Sequence, residues 1–399
     1  MNGTRSLVAF ALSARIASAL LGLGMAFIVA PTVFGFYGRF QAIALVFSVF
    51  AFLRLERAVV SAPAPGEAVR ITALALRILP FTTLVAVIGA FALAPDLASQ
   101  ASAPALAVAL SLALLGRGLM LLATSWLLRA GRQAALSRLM LIQAVGQFAA
   151  QSALLLLDCP ALLALILGEV VGATIAIAQT GFGHGRILAL AARTVHARGL
   201  VHRWRALILF NLPATLAAQT FVALPLITIG RLVDPATTGH VALALRISEA
   251  PMALLTSAAT SLAVAAGIWR GATARSHLVL GAIFIGSVLA FAASLIAAAF
   301  VAELFVTDQR IAAILPYVPA TAALTAAIAL GGPHADLVAY AGAERRAFAI
   351  HGVALLAGLA IGLSRADPTT ALLAFAVTAL SRSAALWLLL PSAMKPARE

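Results

Sequence analysis

The feature that most constrains this chain is a succession of long apolar runs separated by short polar breaks. A run of about 20 apolar residues is what a helix needs to cross the hydrocarbon core of a bilayer. Twelve such runs follow one another along the sequence, at about 7–29, 40–60, 71–94, 104–128, 138–157, 161–181, 206–229, 239–267, 277–301, 311–331, 347–363 and 368–391. The pattern predicts an all-α polytopic membrane protein, because only helices satisfy their own backbone in lipid at this length.

Composition excludes an ordinary soluble domain. Of 399 residues, 63% are hydrophobic and 10% charged, whereas soluble proteins have roughly 45–50% and about 25%. The single cysteine, Cys159, excludes disulfides within the chain and cysteine-rich metal sites. The sequence has no phosphate-binding GxxxxGK[ST] loop, and its connections are too short for a catalytic domain. We therefore expect a protein without a cofactor or metal, and not an enzyme.

The basic residues indicate the orientation in the membrane. A net charge of +14 would suggest nucleic acid in a soluble protein, but here the charges lie in short connections. With residue 1 in the cytoplasm, 19 basic residues fall on the cytoplasmic side and four on the other, namely Arg39, Arg231, Arg310 and Arg365. This asymmetry predicts a membrane protein with both termini in the cytoplasm and no nucleic-acid partner. The heavy use of alanine and arginine favours a bacterial source and thus a bacterial inner membrane. We interpret the first run as a retained helix.

The chain divides at its midpoint. Its longest break, residues 182–205, carries five arginines and three histidines and is expected to be a cytoplasmic linker against anionic headgroups. It separates a six-helix lobe at 1–181 from another at 206–399. Gly35 and Gly239 open corresponding spans in the two halves, 204 residues apart. Repeats of this kind are typical of transporters with a site between the lobes, although chance similarity in alanine-rich sequence is an alternative.

Several ionisable residues fall deep inside the predicted spans, where each costs about 2.5–3.5 kcal/mol on insertion scales. They are the cations Arg15, Arg117, Arg246 and Arg382 and the acids Glu169 and Glu249. The excess of cations favours an anionic substrate, and the guanidinium fork fits phosphate oxygens. The alternative for each arginine is a structural salt bridge or a side chain that reaches back to the headgroups.

Two acidic residues are candidates for ion coupling, and a proline is a candidate for a hinge. Glu169 lies between Gly168 and Gly172, a spacing that permits close helix packing, and it is a candidate for ion coupling or for pairing with an arginine. Arg246 and Glu249 share a helix face, so they can neutralise each other. Glu249 is the second ion-coupling candidate, and Pro251 is expected to be a hinge.

Uncharged polar residues complete the predicted cavity. Gln143, Gln147 and Gln151 recur every fourth residue, so they form one stripe that can bind sugar hydroxyls or hold helices together. Asn211 and Gln219 lie in a proline-containing span that is expected to face a cavity.

Four stretches together resemble the bacterial polysaccharide flippases of the multidrug/oligosaccharidyl-lipid/polysaccharide superfamily. They are Phe34 to Ala68, Thr124 to Gln147, Leu165 to Ala173, and Thr237 to Ala266. The arginine and proline of the family's eighth helix fall on Arg246 and Pro251. The chain departs from the family at Val29 to Val33, where an arginine and acidic residues are usual, and it is short for the family.

The resemblance implies two six-helix lobes in the inverted-V arrangement of MATE-like transporters, with a central cavity that opens to each side in turn. It implies translocation of polyprenyl-pyrophosphate-linked oligosaccharide for lipopolysaccharide or exopolysaccharide export. The partners would be membrane lipids and a polysaccharide polymerase or ligase complex. Three alternatives stay open: a multidrug or metabolite antiporter of the same superfamily, a polytopic polymerase or ligase, and a passive scaffold in glycan assembly.

Overall fold

The computed structural model describes residues 28–93, 102–180, 197–205, 207–265, 274–340 and 344–393, with positions 20, 21, 24, 25, 189 and 190. Most of the first predicted span, most of the predicted linker and Arg15 lie outside the described residues. The described part of the chain consists of helices and short connections.

Eleven long helices within these ranges correspond to predicted spans two to twelve. They are α1 (Pro31–Ser48), α2 (Pro65–Leu93), α3 (Ala103–Arg129), α4 (Gln133–Leu156), α5 (Ala161–Ala178), α6 (Leu212–Leu232), α7 (Pro235–Ala265), α8 (Ala274–Phe305), α9 (Val318–Tyr340), α10 (Glu344–Leu363) and α11 (Pro368–Ala393). Shorter pieces are Leu55–Ser61, Ala197–Arg203, a π-helical turn at Leu207–Asn211, Gln309–Ala312 and a 3-10 turn at Leu315–Tyr317. Nine of the described helices are long and apolar enough to cross a membrane, so the chain is a multi-pass membrane protein.

The prediction for the second span is wrong by several residues at both ends. The helix α1 begins at Pro31, a residue suited to the first helical position, and its first turns carry buried aromatic side chains. It ends at Ser48, and Leu53 and Arg54 then adopt left-handed φ values of 52° and 68°. Arg39, predicted in a connection, therefore lies inside α1, where it is 4% exposed.

Small residues determine how the helices of the first half approach each other. A Cβ at Gly168 of α5 would overlap the Gln151 side chain of α4, and one at Gly172 would lie 2.6 Å from the carbonyl oxygen of Gln143. The two helices therefore pack in close contact along their length. The structure therefore shows the close helix packing that the Gly168 to Gly172 spacing predicts.

The two halves of the chain meet through α1, which packs against both α6 and α7. The closest approach is a crossing of α1 and α7 at the end predicted to be periplasmic. A Cβ at Gly35 would overlap the carbonyl oxygen of Pro235, and a Cβ at Gly239 would overlap that of Pro31. The two glycines and the two prolines thus form a symmetrical contact, which we call the glycine crossing.

An aspartate fixes the start of α7 immediately before the glycine crossing. The Asp234 carboxylate accepts hydrogen bonds from the backbone N–H groups of Ala236 and Thr237 at 2.9 and 3.0 Å and from the Thr237 hydroxyl at 2.6 Å. These bonds hold the pKa of Asp234 below its ordinary value. The ionised form is therefore the better cap of this helix.

We expect Asp234→Ala to lower the free energy of unfolding by about 0.5–2 kcal/mol at neutral pH, the usual cost of losing an N-terminal cap. Because the folded-state pKa is lowered, this stabilisation is present above the ordinary pKa and lost as pH falls through the lowered one. Thermal unfolding of both proteins across this range measures the effect. Asp234→Asn is the control, since asparagine keeps the cap without titrating, and an Asn variant as unstable as the Ala variant would contradict the capping role.

Candidate functional site

A buried polar group joins three helices of the first half. Arg117 of α3 donates to both carboxylate oxygens of Glu169 on α5, with an Nη2 to Oε2 distance of 3.2 Å. Gln41 of α1 donates from Nε2 to Glu169 Oε2 at 2.9 Å and accepts a hydrogen bond from Arg117. The arginine side chain is 18% exposed and that of the glutamate 5%. The glutamate therefore neutralises the arginine in this structure.

Local packing determines where Arg117 lies. Its guanidinium carbon is 5.6 Å from the centre of the Phe40 ring, a favourable cation–π geometry. A Cβ on the neighbouring Gly118 would lie 2.7 Å from the Leu79 side chain of α2. The absence of a side chain at Gly118 thus lets α2 and α3 approach closely while the arginine projects toward α1 and α5.

Tyr37 extends the polar group toward the second half of the chain. Its hydroxyl accepts a hydrogen bond from Gln147 Nε2 of α4 at 3.2 Å. Next to Tyr37, a Cβ at Gly38 would lie 2.8 Å from the Ala242 side chain of α7. Arg246 is one turn further along the same face of that helix, so it lies on the face of α7 that packs against α1.

Sequence reasoning missed Tyr37 and Gln41. The predicted second span began at about residue 40, which left Tyr37 in a connection and Gln41 at a helix end. The available signal was their spacing of four residues, which places them on one face of any helix that starts at Pro31.

Arg246 and Glu249 lie on the α7 side of this site. Arg246 is half-buried and Glu249 is exposed. The two side chains share a face of α7, but neither forms an ion pair within 4.0 Å with any described residue. Arg246 is therefore a cation at the contact between the halves that no carboxylate of the described residues binds directly. The helix continues through Pro251, whose role as a hinge remains a prediction.

The glutamine stripe of α4 takes part mainly in contacts inside the first half. Gln151 is buried and donates to the carbonyl oxygen of Leu165 at 2.8 Å, and Gln147 binds Tyr37. Both therefore join helices, which was one of the two predicted roles. Gln143 and Gln219 are half-buried, and the structure gives neither side chain a hydrogen bond to a described residue.

Asn211 and Arg382 lie apart from the central group. The Asn211 side-chain oxygen accepts from Arg54 Nε at 2.9 Å, so it joins the two halves at the end predicted to be cytoplasmic. Arg382 of α11 is 7% exposed, and its guanidinium carbon lies 5.2 Å from the centre of the Phe221 ring. The helix that carries it packs mainly on α6, α9 and α10.

Contacts between the halves are present at both ends of the helices. At the end predicted to be cytoplasmic, Arg54 donates to Asn211 of the second half, and Glu67 accepts from Arg203 Nε and Trp204 Nε1 of the predicted linker, both at 3.2 Å. At the opposite end, Arg231 donates to the carbonyl oxygen of Leu93 at 2.9 Å, beyond the glycine crossing. In the described part of the chain, the first half therefore has polar contacts with the second half at both ends of the helices.

No family model and no curated protein sequence matches the chain. Among solved structures, it is similar to the lipid II flippase MurJ in an inward closed conformation, with a TM-score of 0.68, 12% identity, and coverage of 96% of this chain and 87% of that one. The eukaryotic MATE transporter AtDTX14 gives 0.61 at 12% identity, covering 97% and 95%. An inward-facing multidrug resistance MATE transporter of the MOP superfamily gives 0.57 at 15% identity, covering 98% and 96%. The chain has the fold of MurJ and the MATE transporters. The prediction of an all-α transporter fold of the MATE type is therefore confirmed.

Proposed function

We propose that this chain translocates a polyprenyl-pyrophosphate-linked oligosaccharide from the cytoplasmic to the periplasmic leaflet of a bacterial inner membrane. Transport proceeds by alternating access between the two halves, and the lipid tail stays in the bilayer at a lateral opening. The fold shared with a lipid II flippase and with MATE transporters supports a transporter of the MOP superfamily. The residues at the contact between the halves support the phosphate-bearing substrate.

Arg246 is the observation that carries the proposal. It is half-buried at the contact between the halves, and no described carboxylate lies within ion-pair distance of it. A charged side chain at membrane depth is expensive unless it has a partner or an aqueous cavity. A pyrophosphate supplies the missing anion and several acceptor oxygens, which a guanidinium binds as a bidentate pair.

Arg117 is the second proposed ligand of the pyrophosphate. Glu169 neutralises it in the structure, so the substrate has to displace the glutamate before the arginine can bind phosphate. In the empty state the pair removes the cost of an isolated buried charge. Glu169 and the exposed Glu249 are the proposed sites of ion coupling, and Glu169 acts only after it releases Arg117.

The sugar moiety requires neutral hydrogen-bonding groups rather than charges. Gln143 and Gln219 are the best placed of the predicted polar residues, since both are half-buried and neither amide is engaged by a described residue. Gln147 and Gln151 already hold helices together. We therefore assign the first pair to sugar contacts and the second to the frame of the first half.

The test measures flipping of a fluorescent polyprenyl-pyrophosphate-linked sugar by the full chain in proteoliposomes, where a membrane-impermeant quencher reports the outer leaflet. We expect Arg246→Ala to weaken substrate binding about 10–100-fold, the range for hydrogen bonds to a charged group. Arg246→Lys keeps the charge but not the bidentate fork, so its substrate affinity should lie between that of the unaltered chain and that of Arg246→Ala.

The matched control is Arg365→Ala, which removes an exposed arginine outside the site and should leave the flipping rate unchanged. A full flipping rate in correctly inserted Arg246→Ala would remove the site assignment.

In a strain deleted for the gene, surface polymer should be lost and lipid-linked intermediates should collect in the cytoplasmic leaflet. Intermediates that reach the periplasmic leaflet would indicate a polymerase or ligase instead, and an unchanged glycan profile with drug sensitivity would indicate an antiporter.

A further inference from the structure

Two buried basic side chains lie together inside the second half of the chain, away from the Arg117 group. Arg382 of α11 is 7% exposed and His351 of α10 is 4% exposed. The Nε of Arg382 and the Nδ1 of His351 have no hydrogen-bond partner within the part of the chain that the structure describes. A Cβ at Gly358 of α10 would lie 3.1 Å from the Phe375 ring of α11, and His351 and Arg382 are each seven residues from that contact, so the two antiparallel helices bring them to the same level.

The helices around this pair bring an aromatic ring to it. The Phe221 ring of α6 lies 5.2 Å from the guanidinium carbon of Arg382, and α10 packs against both α6 and α11. Ser383 of α11 donates to the carbonyl oxygen of Ala327 at 2.7 Å, which fixes the register of α11 against the adjacent helix α9.

The other charged positions on these helices are remote along the helix axes. On α9, His334 and Asp336 are seven and nine residues beyond Ala327, which is roughly 10 and 14 Å along the axis. Arg231 of α6 is ten residues beyond Phe221, or roughly 15 Å. On α10 itself, the charged positions are those of its first turn, Glu344, Arg345 and Arg346. The π-helical turn before α6 contains no titratable residue.

A buried guanidinium keeps its proton, so it needs an anion or a full set of acceptors. A ring face satisfies that need only in part. A neutral histidine has one donor and one acceptor, and a protonated histidine has two donors. One anion between the two side chains therefore accepts a hydrogen bond from the Nε of Arg382 and one from the Nδ1 of His351, and protonation of the ring adds a positive charge beside it.

We propose that Arg382 and His351 form a binding site for one small inorganic anion, with chloride as its representative, in the interior of the second half of the chain. Protonation of His351 strengthens the binding, since it adds a donor and a positive charge beside the anion. Binding of the anion and protonation of His351 therefore favour each other. The site does not depend on the identity of the transported substrate.

The test is a binding measurement on the purified full-length chain in lipid nanodiscs, with radioactive iodide as the probe and unlabelled chloride as the competitor. We expect chloride-competed iodide binding that strengthens as the pH is lowered, because protonation of His351 adds a donor and a positive charge beside the anion. Arg382→Gln should weaken binding about 10–100-fold, the range for hydrogen bonds to a charged group. His351→Gln should abolish the pH dependence.

Two further variants keep the result decisive. Arg365→Gln removes an exposed arginine from the same half and should bind iodide as the unaltered chain does. Arg382→Lys retains the buried charge if the glutamine variant does not fold, and it should bind more weakly than the unaltered chain while His351→Gln still removes the pH dependence. Absence of chloride-competed binding in the unaltered chain, or equal binding in the folded Arg382 and His351 variants, would overturn the proposal.

Discussion

Gly239→Ala is expected to force the two halves of the chain apart at the glycine crossing. A Cβ at this position would overlap the carbonyl oxygen of Pro31, and the nearest atoms are backbone atoms of α1. A side chain could rotate away from such a clash, but a helix backbone has to move as a unit. Overpacking of this kind typically costs about 1–3 kcal/mol, so the ratio of closed to open forms should fall by up to about a hundredfold.

Distances between spin labels measure this opening directly. Labels at Thr32 and Leu232, both exposed near the crossing, are introduced after Cys159 is replaced by serine. Gly286→Ala is the matched control, because a Cβ there would meet nothing within 4 Å. We expect a longer and broader distance distribution in Gly239→Ala and in Gly35→Ala, and no change in the control. Identical distributions in all four proteins would show that the crossing does not hold the halves together.

Glu169→Leu is expected to destabilise the chain by about 3–5 kcal/mol, since it leaves the charge of Arg117 without its partner in a buried position. The effect should be largely reversed when Arg117 is also replaced by leucine, because two apolar side chains of similar size need no compensation there. The two single variants and the double variant form a thermodynamic cycle that isolates the ion pair. Thermal unfolding of each protein in the same detergent gives the required free energies.

Glu303→Leu is the control for this cycle, since Glu303 is exposed on α8 and its loss should change stability little. If the effects of the Arg117 and Glu169 substitutions simply add, the two side chains do not act as a pair. A strong coupling would also bear on transport, because a substrate that binds Arg117 would then have to offset the loss of Glu169. A substrate that binds Arg246 has no such loss to offset, because no described carboxylate forms an ion pair with Arg246.

The sequence by itself determined the positions of the membrane helices and identified the residues that are costly within them. The apolar runs correspond to helices α2 to α11, because the thickness of the bilayer requires a minimum length of apolar sequence. The exception was α1, where buried Arg39 and the polar residues Tyr37 and Gln41 interrupt the apolar pattern at its start. Hydropathy alone cannot recognise a helix whose polar residues find partners in other helices.

Only the tertiary structure decided which deep charges have partners. Arg117 and Glu169 are 52 residues apart and meet because α3 and α5 pack closely. Arg246 and Glu249 are near neighbours in sequence, yet no direct ion pair joins them. Gln151, for which sugar binding and helix contact were both predicted, and Asn211, expected to face a cavity, are buried and hydrogen-bonded to other segments. The physical reason is that hydropathy is a property of one segment, whereas the cost of a buried charge depends on the atoms that neighbouring helices bring to it.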